Sequence, residues 1–242
     1  MRVTPRAVSF DLDDTLWSCD EVIERAERVV YEWLARRFPR ITAEFDLESM
    51  RRIRIETVER NPGLAVDLTA LRHHTLQWHA LRAGYGADVA DAGVDVFLAE
   101  RHRVTPFDDV RPVLEGLRTR YPLVALTNGN ADVRRTELVD LFDAAVSAAD
   151  VGAAKPDPAM FRQACERLGV EAAELVHVGD DPVRDIHAAR RFGARAVWIN
   201  RNALPWPGDV PRAHHEVATL HELRGLLEGE GVRETGAGRA PK

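Results

Sequence analysis

Ala7-Val8-Ser9-Phe10-Asp11-Leu12-Asp13-Asp14-Thr15 is the stretch on which the fold turns. A short apolar run that halts at three carboxylates predicts a buried strand ending in an acidic loop. The same pattern returns twice. Leu123–Leu126 is an apolar run ending at Thr127-Asn128-Gly129-Asn130, and Leu175–Val178 is another, ending at Gly179-Asp180-Asp181. Ala144–Ser147 and Ala196–Ile199 read as further strands, the latter the last of the chain. Helices are expected between them at Val110–Arg120, Val133–Val139, Pro158–Leu168 and Val183–Phe192. Strands alternating with helices build a parallel α/β sheet, Rossmann-like and flanked by helices, whose ligands sit at the carboxyl ends of the strands.

Between the first strand and the rest the periodicity changes. From Asp20 to Arg103 apolar residues recur three and four apart, as in Val22, Ala26, Val29, Val30, Trp33 and Leu34, which predicts helices and no strand. Breaks at Pro39, Asn61-Pro62-Gly63 and Gly84-Tyr85-Gly86 divide this stretch into about four. The expected organisation is a core of residues 1–18 and 104–227, an inserted helical cap of residues 19–103, and a loose, Gly- and charge-rich tail over 228–242.

The 242 residues are 45% hydrophobic and 30% charged, which excludes a largely disordered chain. No apolar run approaches the roughly 20 residues that span a bilayer, and carboxylates interrupt the position of a signal peptide's apolar segment. The cytoplasm is the expected location. A net charge of −6 argues against nucleic acid and anionic membrane as partners. Monomer and homodimer are both open. Cys19 and Cys165 have no metal-ligand spacing and read as buried fillers.

The polar strand ends carry the chemistry. Phosphoryl transfer needs its anionic oxygens neutralised, a nucleophile in line and a proton for the leaving oxygen. Asp11 and Asp13 share a loop yet can be aimed apart, one at phosphorus and one at the leaving oxygen, with Thr15 capping the turn. Carboxylates around an anionic substrate require a hard cation, and Mg²⁺ suits few carboxylates plus phosphate and water. Asp180 can complete that site. Thr127, with backbone N–H groups of the following helix, can hold phosphate oxygens. Among 33 basic residues only Lys155 and Lys242 are lysines, and a compact ammonium is not interchangeable with a guanidinium.

Taken in order, Asp11-Leu12-Asp13-Asp14-Thr15, Thr127-Asn128, Lys155-Pro156 and Gly179-Asp180-Asp181 with Asp185 resemble the four motifs of the haloacid dehalogenase superfamily, over about Val8 to Asn200. The resemblance implies that Asp11 is a covalent nucleophile forming an aspartyl-phosphate and that Asp13 is general acid, then base. It implies Mg²⁺ on the Asp11 carboxylate, the Asp13 carbonyl and the Asp180 carboxylate. Thr127, Asn128 and Lys155 would bind the phosphate of a small-molecule ester, with Asp185 orienting Lys155. The helical insertion is similar to the superfamily's type 1 cap, which closes on substrate.

Asp13 separates a phosphatase from a dehalogenase, because a departing halide needs no proton. A phosphomutase would share every motif, and a phosphate-dependent binding module is the non-enzymatic alternative. Tyr121–Ala131 and His177–Asp181 with Trp198-Ile199 resemble bacterial flavin-pathway phosphatases, which act on flavin mononucleotide and phosphoribitylaminouracil. Trp17 either stacks on a flat heterocycle at the entrance or packs between cap and core. Trp33, Trp78, His73, His74 and His79 either face a substrate or fill a core. Asp181 either reaches the metal through water or caps the next helix.

Overall fold

A computed structural model describes residues 4–229. Its sheet has six parallel strands, β1 (Ala7–Phe10), β2 (Leu123–Thr127), β3 (Ala144–Ser147), β4 (Leu175–Gly179), β5 (Arg195–Ile199) and β6 (His215–Val217), in the spatial order β3-β2-β1-β4-β5-β6. This is a doubly wound sheet, and its crevice opens where the winding reverses, at the carboxyl ends of β1 and its neighbours. Phe10 pairs with Ala125 on one side and Val178 on the other, so the register brings the ends of β1, β2 and β4 level. The acidic and Thr-Asn loops are thereby gathered at one edge.

Ten α-helices accompany the strands among the described residues. Five lie in the insertion: α1 (Cys19–Arg37), α2 (Pro39–Glu44), α3 (Leu47–Arg60), α4 (Leu68–Arg82) and α5 (Val89–Arg101). The others are α6 (Val110–Arg118), α7 (Ala148–Val151), α8 (Ala159–Leu168), α9 (Ala188–Phe192) and α10 (Leu220–Glu228). The insertion holds five helices rather than about four because the chain turns extended at Phe45 and Asp46 starts the next helix, its carboxylate accepting from Ser49 N at 2.7 Å.

One face of the sheet buries Phe10, Leu114, Leu123 and Val197, and the other Val124, Leu126, Phe161 and Trp198. The insertion has a separate cluster, including Ala26, Leu34, Ile41, Leu76 and Phe97. Its two connections to the sheet run side by side. Trp17 bridges to Pro106, and Phe107 N donates to Leu16 O at 2.9 Å. No helix among the described residues is long and apolar enough to cross a membrane.

Three expectations are corrected. Val133–Val139 is not a helix but two 3-10 turns, Val133–Arg135 and Val139–Leu141. Thr136 Oγ1 donates to Val133 O at 2.8 Å and accepts from Leu138 N at 3.2 Å, competing with the helical ladder between them. Val183–Phe192 begins as a wide π turn over Pro182–His187 before α9. Ala196–Ile199 is followed by the short edge strand β6 and by α10, which takes in Glu228 and is capped by Gly229; residues 230–242 of the expected tail lie outside the described residues.

Candidate active site

Asp11 is the first residue past β1, its N–H held by Val178 O at 2.9 Å and its side chain turned into a cleft of about 650 Å³. Lys155 enters from the loop before α8. Its ammonium, 3% exposed, donates to Asp11 Oδ1 at 2.5 Å, Asp185 Oδ1 at 2.6 Å and Leu126 O at 2.8 Å. Three acceptors match its three protons, so a charge that would be costly to bury alone is fully partnered.

Asp185 anchors this arrangement. Its Oδ1 also receives a hydrogen bond from His177 Nε2 at 3.2 Å, its Oδ2 accepts from Asp181 N at 3.1 Å, and Ser9 Oγ lies 2.9 Å from His177 Nδ1. The wide turn over Pro182–His187 brings Asp185 back beneath Gly179, where a Cβ would fall 2.4 Å from the Asp185 carboxyl carbon, so only glycine fits. Burial opposes ionisation of Asp185, but the Lys155 charge and the His177 bond outweigh it and hold the carboxyl well below the usual carboxylate range. Burial pushes Asp11 well above that range against the pull of Lys155, and the nearby Asp185 and Asp180 push the same way. Asp180 is pushed up to about 7, by burial first and then by Asp185 and Asp14.

Carboxylate oxygens of Asp11, Asp180 and Asp185 lie within 4.8 Å of one another. Asp185 has both oxygens committed, whereas Asp180 accepts only a 3.3 Å contact from Thr15 Oγ1 and Asp11 keeps one oxygen free of Lys155. Two under-neutralised carboxylates, raised above their ordinary range, fit a hard oxygen-seeking cation, which would restore their ionised forms.

Asp13 is placed differently. Its Oδ1 accepts from the Trp17 indole at 2.9 Å and its Oδ2 from Arg101 Nη2 at 2.5 Å. Asp14, at φ 57°, turns the chain and accepts from Cys19 N at 2.9 Å, which starts α1. Thr127 Oγ1 accepts from Gly129 N at 2.9 Å, leaving its own proton for a ligand oxygen. The helix N–H groups expected beside it are absent, because the chain there forms a loop and 3-10 turn. Asn128, expected to touch substrate, lines the cleft and also clasps the Lys155 backbone: it donates to Lys155 O and accepts from Lys155 N, each at 2.8 Å.

The reading left open at Trp17 resolves toward packing, whereas Asp181 both lines the cleft and caps a turn. Asp181 caps the following turn, accepting from Val183 N and Arg184 N at 2.8 Å each. Trp17 is 0% exposed, so it cannot stack on a ligand at the entrance. From the insertion, Cys19 and Leu68 line the cleft; Trp33 packs on Phe38, His79 is buried beside Thr75 O, His73 pairs with Asp91, and Trp78 and His74 line a separate outer groove. Cys165 is buried, but Cys19 is only half-buried; burial pushes its thiol up to about 12, which keeps it protonated. Sequence reasoning missed Arg101, His177 and Ser9. His177 gave a signal as a titratable residue inside a fully apolar strand; Arg101 gave none.

The family model described as haloacid dehalogenase-like hydrolase matches residues 5–193. The 5-amino-6-(5-phospho-D-ribitylamino)uracil phosphatase YigB of Escherichia coli is 33% identical over 232 residues, covering 91% of this chain and 95% of that protein. Among solved structures, a 2-haloacid dehalogenase from Pseudomonas syringae is 38% identical with a TM-score of 0.87, covering 94% of this chain and all of that one. A phosphatase from Thermococcus onnurineus is 28% identical with a TM-score of 0.67, over 93% of this chain and 98% of that one.

Proposed function

Because the chain belongs to the haloacid dehalogenase-like hydrolase family and is a phosphoric monoester hydrolase, we propose that it cleaves a small-molecule ester in two displacements at phosphorus, with Asp11 as nucleophile. The observation that carries this reading is the junction of Asp11, Lys155 and Asp185 beside Asp180 and Asp13 at three adjacent strand ends. In the first step an Asp11 carboxylate oxygen bonds to phosphorus as the ester P–O bond breaks, and Asp13 gives its proton to the departing oxygen. In the second, Asp13 takes a proton from water, whose oxygen attacks the aspartyl-phosphate and frees Asp11 and inorganic phosphate.

Lys155 and the Thr127 hydroxyl hold the phosphoryl oxygens, while Asp185 and Asn128 act through Lys155 by fixing its ammonium and its backbone. Mg²⁺, held by the Asp11 and Asp180 carboxylates and the Asp13 carbonyl, would neutralise phosphate charge and keep both carboxylates ionised. Residues 19–103 act as a cap on a core of 1–18 and 104–227, excluding water while the ester is bound. A phosphoribityl intermediate of riboflavin synthesis is the favoured ester, because the Escherichia coli relative is named for hydrolysing one.

The Pseudomonas syringae neighbour is named for dehalogenation, which requires no proton donor. A carboxyl at position 13, in the same loop as Asp11 and lining the same cleft, favours ester cleavage, because it can carry a proton to the leaving oxygen. The test is phosphate release from phosphoribitylaminouracil, flavin mononucleotide, sugar phosphates and nucleotides, in Mg²⁺ or excess chelator, beside Asp11→Asn. Release that needs both metal and Asp11 is expected. Release that survives Asp11→Asn would overturn the nucleophile, and chloride release from a 2-haloacid undiminished in Asp13→Asn would restore the dehalogenase reading.

A further inference from the structure

Arg101 is the last residue of α5, where the chain leaves the helical insertion, and its guanidinium reaches the core with the side chain 1% exposed. It donates from Nη2 to Asp13 Oδ2 at 2.5 Å and from Nε to Asn130 Oδ1 at 3.2 Å, while its buried Nη1 has no partner. The approach is possible because residue 129 is glycine. A Cβ there would stand 2.7 Å from Asp13 Oδ2, 3.2 Å from Arg101 Nη2 and 3.2 Å from Thr127 Oγ1.

The two oxygens of Asp13 are therefore held from different bodies. Trp17, four residues away in the same loop, holds Oδ1, and Arg101, 88 residues away at the exit of the insertion, holds Oδ2. Displacement of the insertion against the sheet would keep the first bond and break the second. A surface ion pair contributes little, but separating this guanidinium from Asp13 would leave a charge buried without its counter-ion.

We propose that Arg101 is a positioning residue that aims the Asp13 carboxyl at the leaving oxygen, so that proton transfer is competent only when the helical insertion is seated on the core. This rests on the reading of Asp13 as the group that protonates the leaving oxygen. Arg101 exchanges no proton itself; it fixes which way Asp13 faces.

The dependence of kcat/KM on the leaving group reads this role, because that ratio covers only the steps up to ester cleavage. A p-nitrophenyl ester departs without help, whereas an alkyl ester such as glycerol phosphate needs its oxygen protonated. In Arg101→Gln, kcat/KM for the alkyl ester should fall about 100-fold, the scale of a misplaced catalytic group, and that for the p-nitrophenyl ester by less than about threefold. Arg101→Lys, which keeps the charge, should recover part of the loss on the alkyl ester. Equal losses on both esters, or none on either, would overturn the proposal. Asp13→Asn run alongside keeps the two readings apart. If that variant still cleaves the alkyl ester normally, the reading of Asp13 fails, whatever Arg101 does.

Discussion

Replacing Lys155 by methionine removes a charge from the centre of the site while keeping its volume. The ammonium has three partners, Asp11 Oδ1 at 2.5 Å, Asp185 Oδ1 at 2.6 Å and Leu126 O at 2.8 Å, and is buried with both carboxylates. Asp11 relieves itself by taking a proton, since burial already pushes it upward. Asp185 is the greater loss: it is held ionised chiefly by Lys155, and without that charge only His177 and the Asp181 N–H remain. Breaking a buried pair costs about 3–5 kcal/mol, and with Asp11 able to neutralise itself we take the lower end, about 3 kcal/mol. For a chain of this size that is a fall in Tm of about 6–12 °C. Scanning calorimetry in chelator at pH 7.5 measures it, and the deficit should shrink toward pH 5 as the orphaned carboxyl takes a proton. A fall of less than about 2 °C at pH 7.5 would refute the reasoning, because it would mean that Lys155 neutralises no buried charge.

Metal and proton should compete at Asp180. Without metal the folded chain keeps a proton there up to about pH 7, above the ordinary carboxylate value of 3.8, so this group lowers stability as pH rises through that window. Mg²⁺ should displace the proton, and the thermal shift it produces should be larger at pH 8 than at pH 6; an equal shift at both would contradict a site on Asp180. Trp17→Ala empties a fully buried indole position and should cost about 3–5 kcal/mol in urea unfolding. Since Trp17 also holds Asp13, activity should fall alike on flavin mononucleotide and a small sugar phosphate, and a loss confined to the flavin would revive stacking. Within the insertion, Glu27 is 3% exposed and pairs with Arg51, Arg54 and Arg72. Burial raises its carboxyl, but the three arginines win and hold it below its ordinary range. The stability it contributes is therefore full above that range and is lost as acid titrates through the lowered value. Glu27→Gln should cost about 2–3 kcal/mol at pH 7, less than a fully buried pair because Arg51 is partly exposed, and a cost under about 0.5 kcal/mol would show the cluster to be surface-like.

The sequence by itself determined the alternation of strands and helices, the helical insertion and the ends of β1, β2 and β4, because a strand buried on both faces is written as a nearly continuous apolar run and its exit as a polar one. The candidates Asp11, Asp13, Thr127, Asn128, Lys155 and Asp180, which line one cleft, stood out in the sequence for the same reason, each sitting at or just beyond such a boundary or standing out in composition. The Val133–Val139 segment was not, since a hydroxyl three residues along decided between ladder and turn. The partners of these residues were decided only in three dimensions. Arg101 meets Asp13 across 88 residues, and Lys155 meets Asp11 across 144. Asn128, at the cleft, also clasps the Lys155 backbone, 27 residues away. Trp17 is sealed between the two connections of the insertion instead of facing the cleft. Local pattern specifies where a strand ends and which chemistry stands there; which charge neutralises which depends on loop closure and burial, which no window of sequence contains.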